Sequence, residues 1–204
     1  MILVEETQPL DEDLPVAALR AWLRLGSGFE LAPAPEEDRA LAGFLRAAIL
    51  TIEGRTGKVL LRRSYRMVLD DWRDRMGHPL PLAPVHRLDG VSIEDGAGRA
   101  REIDPAQYEL VPDTQRPLLR PRGAMLPQVP RLGRVSVRFV AGFGEVWEDV
   151  PADLAQAAIM LAGRYYEDRG LGGPQIALPV QVSALIERWR SVRVLGGRGA
   201  GARR

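Results

Sequence analysis

The sequence has 204 residues, of which 46% are hydrophobic and 27% charged, and its net charge is +1. These proportions are typical of a soluble globular chain of one or two domains. No apolar run reaches the roughly 18 residues of a membrane span, and the first residues lack a basic leader, so we predict neither a membrane segment nor a signal peptide. The chain has no cysteine and only two histidines, which excludes disulfides and cysteine-based metal sites and argues against a multi-histidine site.

Charge is unevenly distributed along the chain. Lys58 is the single lysine among 28 basic residues, and the remainder are arginines. Residues 1–13 carry five acids and no base, residues 114–144 carry six arginines and no acid, and the tail from Ser191 is basic. Such blocks are typical of interaction surfaces, although each can equally be a solvated face.

Four segments have helical periodicity, at 14–25, 36–53, 151–169 and about 179–194. In the second, apolar residues recur at three- and four-residue spacing, and acids occupy the first turn, where the helix dipole favours them. Pro151 suits a helix start, and glycines follow the predicted ends of the first three segments. A Gly/Pro linker precedes the last helix, and the sequence after it is rich in glycine and arginine.

The region between the second and third helices predicts strands. Val, Leu, Tyr and Met dominate residues 58–72, and turn signals such as Asp89-Gly90 and Asp95-Gly96 separate short apolar runs. The clearest strand is 134–140, where apolar and polar residues alternate. The Pro-rich stretch 112–130 is interpreted as an extended loop or arm outside the core. The other predicted strands are Val85–Ile93, Tyr108–Val111 and Leu118–Arg120.

This order of elements predicts an α+β fold: a helical bundle with a small antiparallel β-unit inserted in the middle, and a separate C-terminal helix with a flexible Gly/Arg tail. We expect a core at 1–178, with the β-rich insertion at 58–140, and a terminal unit at 179–204. The final helix could pack back onto this core or remain detached, presenting an amphipathic face to a partner groove.

Two glycine motifs resemble parts of nucleotide-binding loops. Gly54-Arg55-Thr56-Gly57-Lys58 resembles half of a phosphate-binding loop, but it lacks the first glycine and the Ser or Thr after the lysine. Gly142-Phe143-Gly144 lacks the third glycine of a dinucleotide fingerprint. We interpret both as turns and predict no cofactor.

The sequence also offers little for catalysis. Asp70, Asp71 and Asp74 lie among arginines and lack the spacing of a hard-cation loop, so they predict no metal site. His78 and His86 have no evident Ser or acidic partner in sequence. We therefore predict that the chain is not an enzyme, with a site assembled in space around either histidine as the remaining enzymatic alternative.

Several segments together resemble the head–tail connector, or adaptor, proteins of long-tailed bacteriophages, prophages and gene transfer agents. The resemblance covers roughly residues 10–170, and the joint pattern carries it rather than any single motif. Its segments are Ile52-Glu53-Gly54-Arg55-Thr56-Gly57 at a helix end, Leu80-Pro81-Leu82-Ala83-Pro84-Val85, the string from Val135 to Gly144, Val150-Pro151-Ala152-Asp153-Leu154, and Tyr165-Tyr166 followed by Arg169.

The resemblance implies a structural protein of the virion or phage-like particle, made in the bacterial cytoplasm and located in the neck. Such adaptors form a ring of about twelve copies between the capsid portal and the stopper or tail-terminator protein. The ring extends a channel through which DNA passes without sequence-specific binding. No membrane partner and no cofactor are implied.

The resemblance also suggests where contacts lie. In several adaptors the C-terminal segment reaches the portal, and the corresponding residues here are Val182, Leu185, Ile186, Trp189, Arg190, Val192 and Arg193. The arginine block is assigned either to contacts between copies, pairing with the acidic N-terminus of a neighbour, or to the channel wall. Its members are Arg116, Arg120, Arg122, Arg131 and Arg134. The alternative function is a free-standing DNA-binding protein acting in packaging, which the near-zero net charge and the lack of a groove-reading motif disfavour.

Overall fold

The structure is a computed structural model that describes residues 1–25, 35–170 and 178–190. Four α-helices lie in these ranges, and a single 3-10 turn at Glu187–Trp189 extends the last of them. The helices are α1 (Val16–Trp22), α2 (Pro35–Thr56), α3 (Ala152–Glu167) and α4 (Val180–Ile186). Each predicted helical segment contains one of these helices, and the ends of α1, α2 and α3 differ from the predicted ends by at most three residues. Only α4 is much shorter than its predicted segment.

The described residues also form eight strands in two sheets. The larger sheet has the order β1-β2-β8-β4-β5, the smaller has the order β3-β7-β6, and every pair of neighbouring strands is antiparallel. The strands are β1 (Ile2–Glu5), β2 (Arg63–Leu69), β3 (His78–Pro79), β4 (Val85–Glu94), β5 (Ala100–Glu102), β6 (Tyr108–Val111), β7 (Leu118–Pro121) and β8 (Arg134–Ala141). The predicted α+β class is confirmed.

Side-chain alternation sets the two faces of the larger sheet. On β8, Val135, Val137 and Phe139 are buried, whereas Arg134 and Arg138 are exposed. A strand with this period of two buries one face and leaves the other open. The buried face covers an apolar cluster, here called the β core, which includes residues of both sheets.

A second apolar cluster, here called the helical core, lies among the helices. Leu19 of α1, Leu45 of α2, Leu154 of α3 and Ile186 of α4 are all essentially buried in it. The last helix therefore packs onto the helical core, which is one of the two alternatives that the sequence left open.

Two features depart from the sequence-based expectations. The first strand, β1, was not predicted, although it pairs along its whole length with β2. The stretch 112–130 was interpreted as a loop outside the core, and that interpretation was wrong. The predicted strand Leu118–Arg120 within it is β7, but Leu119, Leu126 and Val129 of this stretch are buried in the β core. Apolar side chains scattered between the prolines thus form part of that core.

Candidate assembly surfaces

Buried apolar side chains attach α4 to the rest of the molecule. Val182 and Ile186 are 0% and 2% exposed, and both belong to the helical core. Leu185 and Trp189 are half-buried against the same cluster. The indole ring of Trp189 also meets the ring of Phe143 edge to face, with ring centroids 5.4 Å apart. One side of α4 is thus occupied by this chain's own core.

A carboxylate at the start of α3 binds the residues that follow α4. Asp153 Oδ2 accepts hydrogen bonds from Arg188 Nε at 2.6 Å and from Trp189 Nε1 at 2.7 Å, and its Oδ1 accepts from the backbone N–H of Leu154. Burial opposes ionisation of Asp153, but these donors outweigh it and lower the pKa of the carboxyl. Asp153 therefore holds the segment after α4 as a charged acceptor.

The residues predicted to contact the portal lie in three different environments. Val182 and Ile186 are buried within the chain, Leu185 and Trp189 are half-buried, and Arg190 is exposed and pairs with Glu187 at 3.1 Å. Val192 and Arg193 lie outside the described residues, as does the Gly/Arg tail.

The arginine block is exposed throughout. Arg120 and Arg122 share Glu109 at 2.5 Å and 3.6 Å, and the hydrogen bond from Arg120 contributes most to lowering the pKa of that carboxyl. Arg116, Arg131 and Arg134 have no ion pair with any of the described residues. The structure thus presents these three as exposed charges without a partner in the described chain.

Most acids of the N-terminal block have partners inside the chain. Glu6 pairs with Arg66 at 2.9 Å, and Asp11 pairs with Arg46 at 2.6 Å. Asp13 accepts a hydrogen bond from the backbone N–H of Leu10. Pairing of this block with the arginines of a neighbouring copy would therefore compete with contacts that the single chain already makes.

A buried ionic cluster joins the N-terminal strand to the helices and the sheet. Arg63 on β2 is 3% exposed and pairs with Glu5 of β1 at 3.1 Å and with Glu53 of α2. Glu53 Oε1 also accepts the backbone N–H of Leu60 at 2.8 Å. Burial raises the pKa of Glu53 despite the neighbouring guanidinium, because desolvation disfavours its charged form.

The half-motif at residues 54–58 ends a helix and presents no phosphate site. Gly57 follows α2 with a φ of 68°, a left-handed conformation that suits glycine. Lys58 is 0% exposed, its Nζ has no hydrogen-bond partner among the described residues, and burial lowers its pKa. The only lysine therefore points into the protein rather than towards a ligand.

The second glycine motif is also a turn. Gly142 has a φ of 136°, and a Cβ there would come within 2.6 Å of the Arg62 backbone. The glycine thus permits a close approach of two chain segments at the end of β8, as a strand-end turn requires.

The histidines and the acidic cluster show no catalytic arrangement. His78 Nδ1 accepts the backbone N–H of Arg73 at 3.1 Å, and burial and then Arg73 lower its pKa. His86 is exposed. Within the described ranges, no group of three or more acidic or histidine side chains could hold a metal, and no helix is both long enough and apolar enough to cross a membrane.

A groove of about 560 Å³ lies between α1, α3 and the start of α4. The indole of Trp22 rests against Gly163, where a Cβ would meet it at 2.9 Å, and Trp22 and Val180 are 48% and 80% exposed. Its described lining is mainly apolar but includes Arg164, Glu167 and Gln181, and these described residues form no cluster of reactive groups.

Sequence reasoning missed the charged residues that hold the first strand and the last described helix in place. Asp153 lies at the start of a predicted helix, and Glu53 lies at the end of one, where either is ordinarily a solvated charge. The pairing of Glu53 with Arg63 spans ten residues and two kinds of element. No spacing rule links such positions before the fold is known.

Comparison with solved structures gives close matches over almost the whole chain. A chain from the neck of an empty gene transfer agent particle, computed with C6 symmetry, is 48% identical and matches with a TM-score of 0.86, covering 97% of this chain and 100% of that one. A chain from the virion of a native gene transfer agent particle is 48% identical with a TM-score of 0.84 at the same coverage.

A third match comes from the neck of a native gene transfer agent particle computed with C12 symmetry. It is 45% identical, has a TM-score of 0.82, and covers 97% of this chain and 100% of that one. No family model matches the chain, and no curated protein matches it.

Fold and comparisons together define a structural component of the neck of a phage-like particle. Identity near one half over nearly the full length of both chains is far above what a shared fold alone requires. The chain belongs to the head–tail connector family of gene transfer agent neck proteins, which confirms the resemblance found in the sequence.

Proposed function

We propose that the chain is the head–tail adaptor of its particle and assembles as a ring of about twelve copies between the portal and the stopper or tail-terminator protein. The observation that carries the proposal is the 48% identity to a neck protein over 97% of the chain. The role is assembly rather than catalysis, and the ring extends the channel through which DNA passes.

Rotational symmetry supports the ring. The necks that contain two of the similar chains were computed with C6 and with C12 symmetry. A ring of identical chains needs a heterologous contact, in which one surface of each copy meets a different surface of the next. A chain of this family therefore needs two complementary surfaces in addition to those that face the portal and the stopper.

The proposed portal contact lies on the C-terminal segment. Arg190 is exposed and Leu185 and Trp189 are half-buried, so this side can be covered by a partner without removing α4 from the helical core. Val182 and Ile186 would act by holding the helix in place. Val192 and Arg193 complete the proposed contact beyond the described residues.

The proposed role of the arginine block is contact between copies, with the channel wall as the second possibility. Arg116, Arg131 and Arg134 are exposed and have no ion pair among the described residues. On a channel wall they would meet phosphates without reading sequence. A channel that lets DNA slide gains nothing from tight binding, so we favour contact between copies.

Native mass spectrometry tests the proposal. The protein is measured alone and after mixing with the portal protein of the same particle. We expect a multi-copy complex with the portal, whether or not the protein forms a ring alone, because a portal can template the ring. No association with the portal, together with salt-dependent binding to duplex DNA, would contradict the adaptor role and favour the DNA-binding alternative.

Charge reversal tests the arginine block. The triple change Arg116→Glu, Arg120→Glu and Arg122→Glu should abolish or strongly weaken ring assembly, because like charges would replace complementary ones. The matched control changes the same three residues to lysine, which keeps the charge. Assembly of the glutamate variant equal to that of the control would show that these residues lie outside the contact.

A further inference from the structure

We propose that the free edge of β1 receives the free edge of β5 from a neighbouring copy, so that the five-stranded sheets of successive copies join side by side. The inference rests on the proposed ring and names one contact within it. β1 and β5 are the two edges of one sheet.

Among the described residues, the edge of β1 is uncovered and apolar. Met1, Ile2 and Leu3 are 69%, 62% and 36% exposed, although they belong to or border a strand. β1 pairs with β2 on one side, and no described strand covers its other side. Exposed apolar side chains on an uncovered edge favour pairing with another strand.

The backbone groups that face outwards can be assigned from the ladder. Glu6 donates its backbone N–H to Ser64 O at 2.8 Å, and residues facing a partner alternate along an antiparallel strand. The backbone N–H and C=O groups of Ile2 and Val4 therefore point towards β2. Those of Leu3 and Glu5 point to the free edge. No described residue bonds to these outward groups.

The usual protections against edge pairing are missing on β1. The strand has no proline, lysine or bulge, and its one charged residue, Glu5, directs its carboxylate to Arg63. Soluble proteins ordinarily shield an edge with such features. An unprotected edge at this place is expected where a partner strand covers it in the assembled state.

The opposite edge of the sheet has matching free groups. β5 is exposed along its length and pairs only with β4 among the described strands. Ile103 donates its backbone N–H to Val91 O, so the same alternation directs the backbone groups of Ala100 and Glu102 outwards. The free edges of β1 and β5 thus each present the backbone N–H and C=O groups of two residues.

A ring explains why the partner is a second copy and why the two edges differ. Pairing of β1 with another β1 would be isologous and would close a dimer, whereas β1 against β5 repeats head to tail around an axis. Since neighbouring strands alternate in direction across this five-stranded sheet, β1 and β5 run the same way, and the joint would be a parallel pair.

Leu3→Pro tests the contact. Proline removes the outward N–H of Leu3 and places its ring on the free edge, while the bonds from β1 to β2 remain. We expect loss of ring assembly, with a thermal midpoint close to that of the wild type. The control, Leu3→Thr, removes the apolar side chain but keeps the N–H and a strand-forming residue, and should still assemble.

Cross-linking gives a second measurement that does not depend on the proline variant folding. Leu3 lies opposite Met67 and Arg101 lies opposite Ile93, so both project from the face that bears the β core. Because the chain has no cysteine, the pair Leu3→Cys and Arg101→Cys carries the only thiols. A short bismaleimide should link copies into a ladder up to the full ring, whereas Leu3→Cys with the exposed Leu50→Cys should not.

The outcomes separate this inference from the function on which it rests. Suppose that the wild type assembles, that Leu3→Pro assembles equally well, and that the variant with Leu3→Cys and Arg101→Cys forms no cross-links. The edge contact is then wrong, and the adaptor role stands. If the wild type forms no complex with the portal or with itself, the adaptor role fails and the edge contact fails with it.

Discussion

The first strand and the last described helix are attached to the molecule in opposite ways. β1 is held mainly by backbone hydrogen bonds and by the Glu5–Arg63 ion pair, and it leaves Ile2 and Leu3 exposed. α4 buries Val182 and Ile186 in the helical core. The described chain thus leaves apolar surface of β1 uncovered, whereas the buried side of α4 already serves the single chain.

The largest expected effect concerns the attachment of β1. Arg63→Ala leaves Glu53 buried without its cation and removes the partner of Glu5, which should cost about 4 kcal/mol of unfolding free energy. Urea denaturation measures it.

The matched control for that change is Arg66→Ala, which breaks the more exposed pair with Glu6 on the same strand. We expect about 0.5 kcal/mol for the control. Equal losses in the two variants would show that the buried cluster does not anchor β1.

The next effect concerns α4. Ile186→Ala creates a cavity in the helical core and should lower the unfolding free energy by about 3 kcal/mol. Val180→Ala, at an 80% exposed position of the same helix, should change it by less than about 0.5 kcal/mol. A similar, small effect of both changes would mean that α4 does not pack on α3 in solution.

The attachments of β1 and of α4 show which features of the fold the sequence predicts and which it does not. The apolar spacing of Val182 and Ile186 shows that one side of the helix is covered, but it does not say whether the chain itself or a partner covers it. β8 was predictable because Val135, Val137 and Phe139 alternate with polar residues. β1 was not, because four residues before an acidic block carry no turn signal.

The surfaces were harder to predict than the elements. Arg116, Arg131 and Arg134 were recognised from charge alone and are exposed in the structure. The carboxylate of Asp153 was missed because its partners, Arg188 and Trp189, lie 35 and 36 residues away. Contacts at such separations depend on the packing of whole elements, which local patterns do not encode.

The smallest expected effect concerns the fastening by Asp153. Asp153→Asn weakens the hydrogen bonds to Arg188 and Trp189 and should cost about 1 kcal/mol, since the site is partly exposed. Its pKa is lowered in the folded state, so the stabilisation is present above the unfolded value of about 4 and is lost as the pH falls through the folded value.

Tryptophan fluorescence and urea denaturation between pH 7 and pH 3 measure that effect. The difference in stability between wild type and Asp153→Asn should shrink as the solution is acidified. Glu187→Gln, which alters only the exposed pair with Arg190, is the control and should have little effect at pH 7. A constant difference for Asp153→Asn across this range would exclude a contribution from the charge.

The burial of Lys58 has a practical consequence for following this protein. It carries the chain's only side-chain amine, and that amine is inaccessible in the folded state. Amine-reactive reagents should therefore modify Lys58 only when the region between α2 and the sheets opens. The extent of labelling at one tryptic peptide would then report local unfolding, with no background from other lysines.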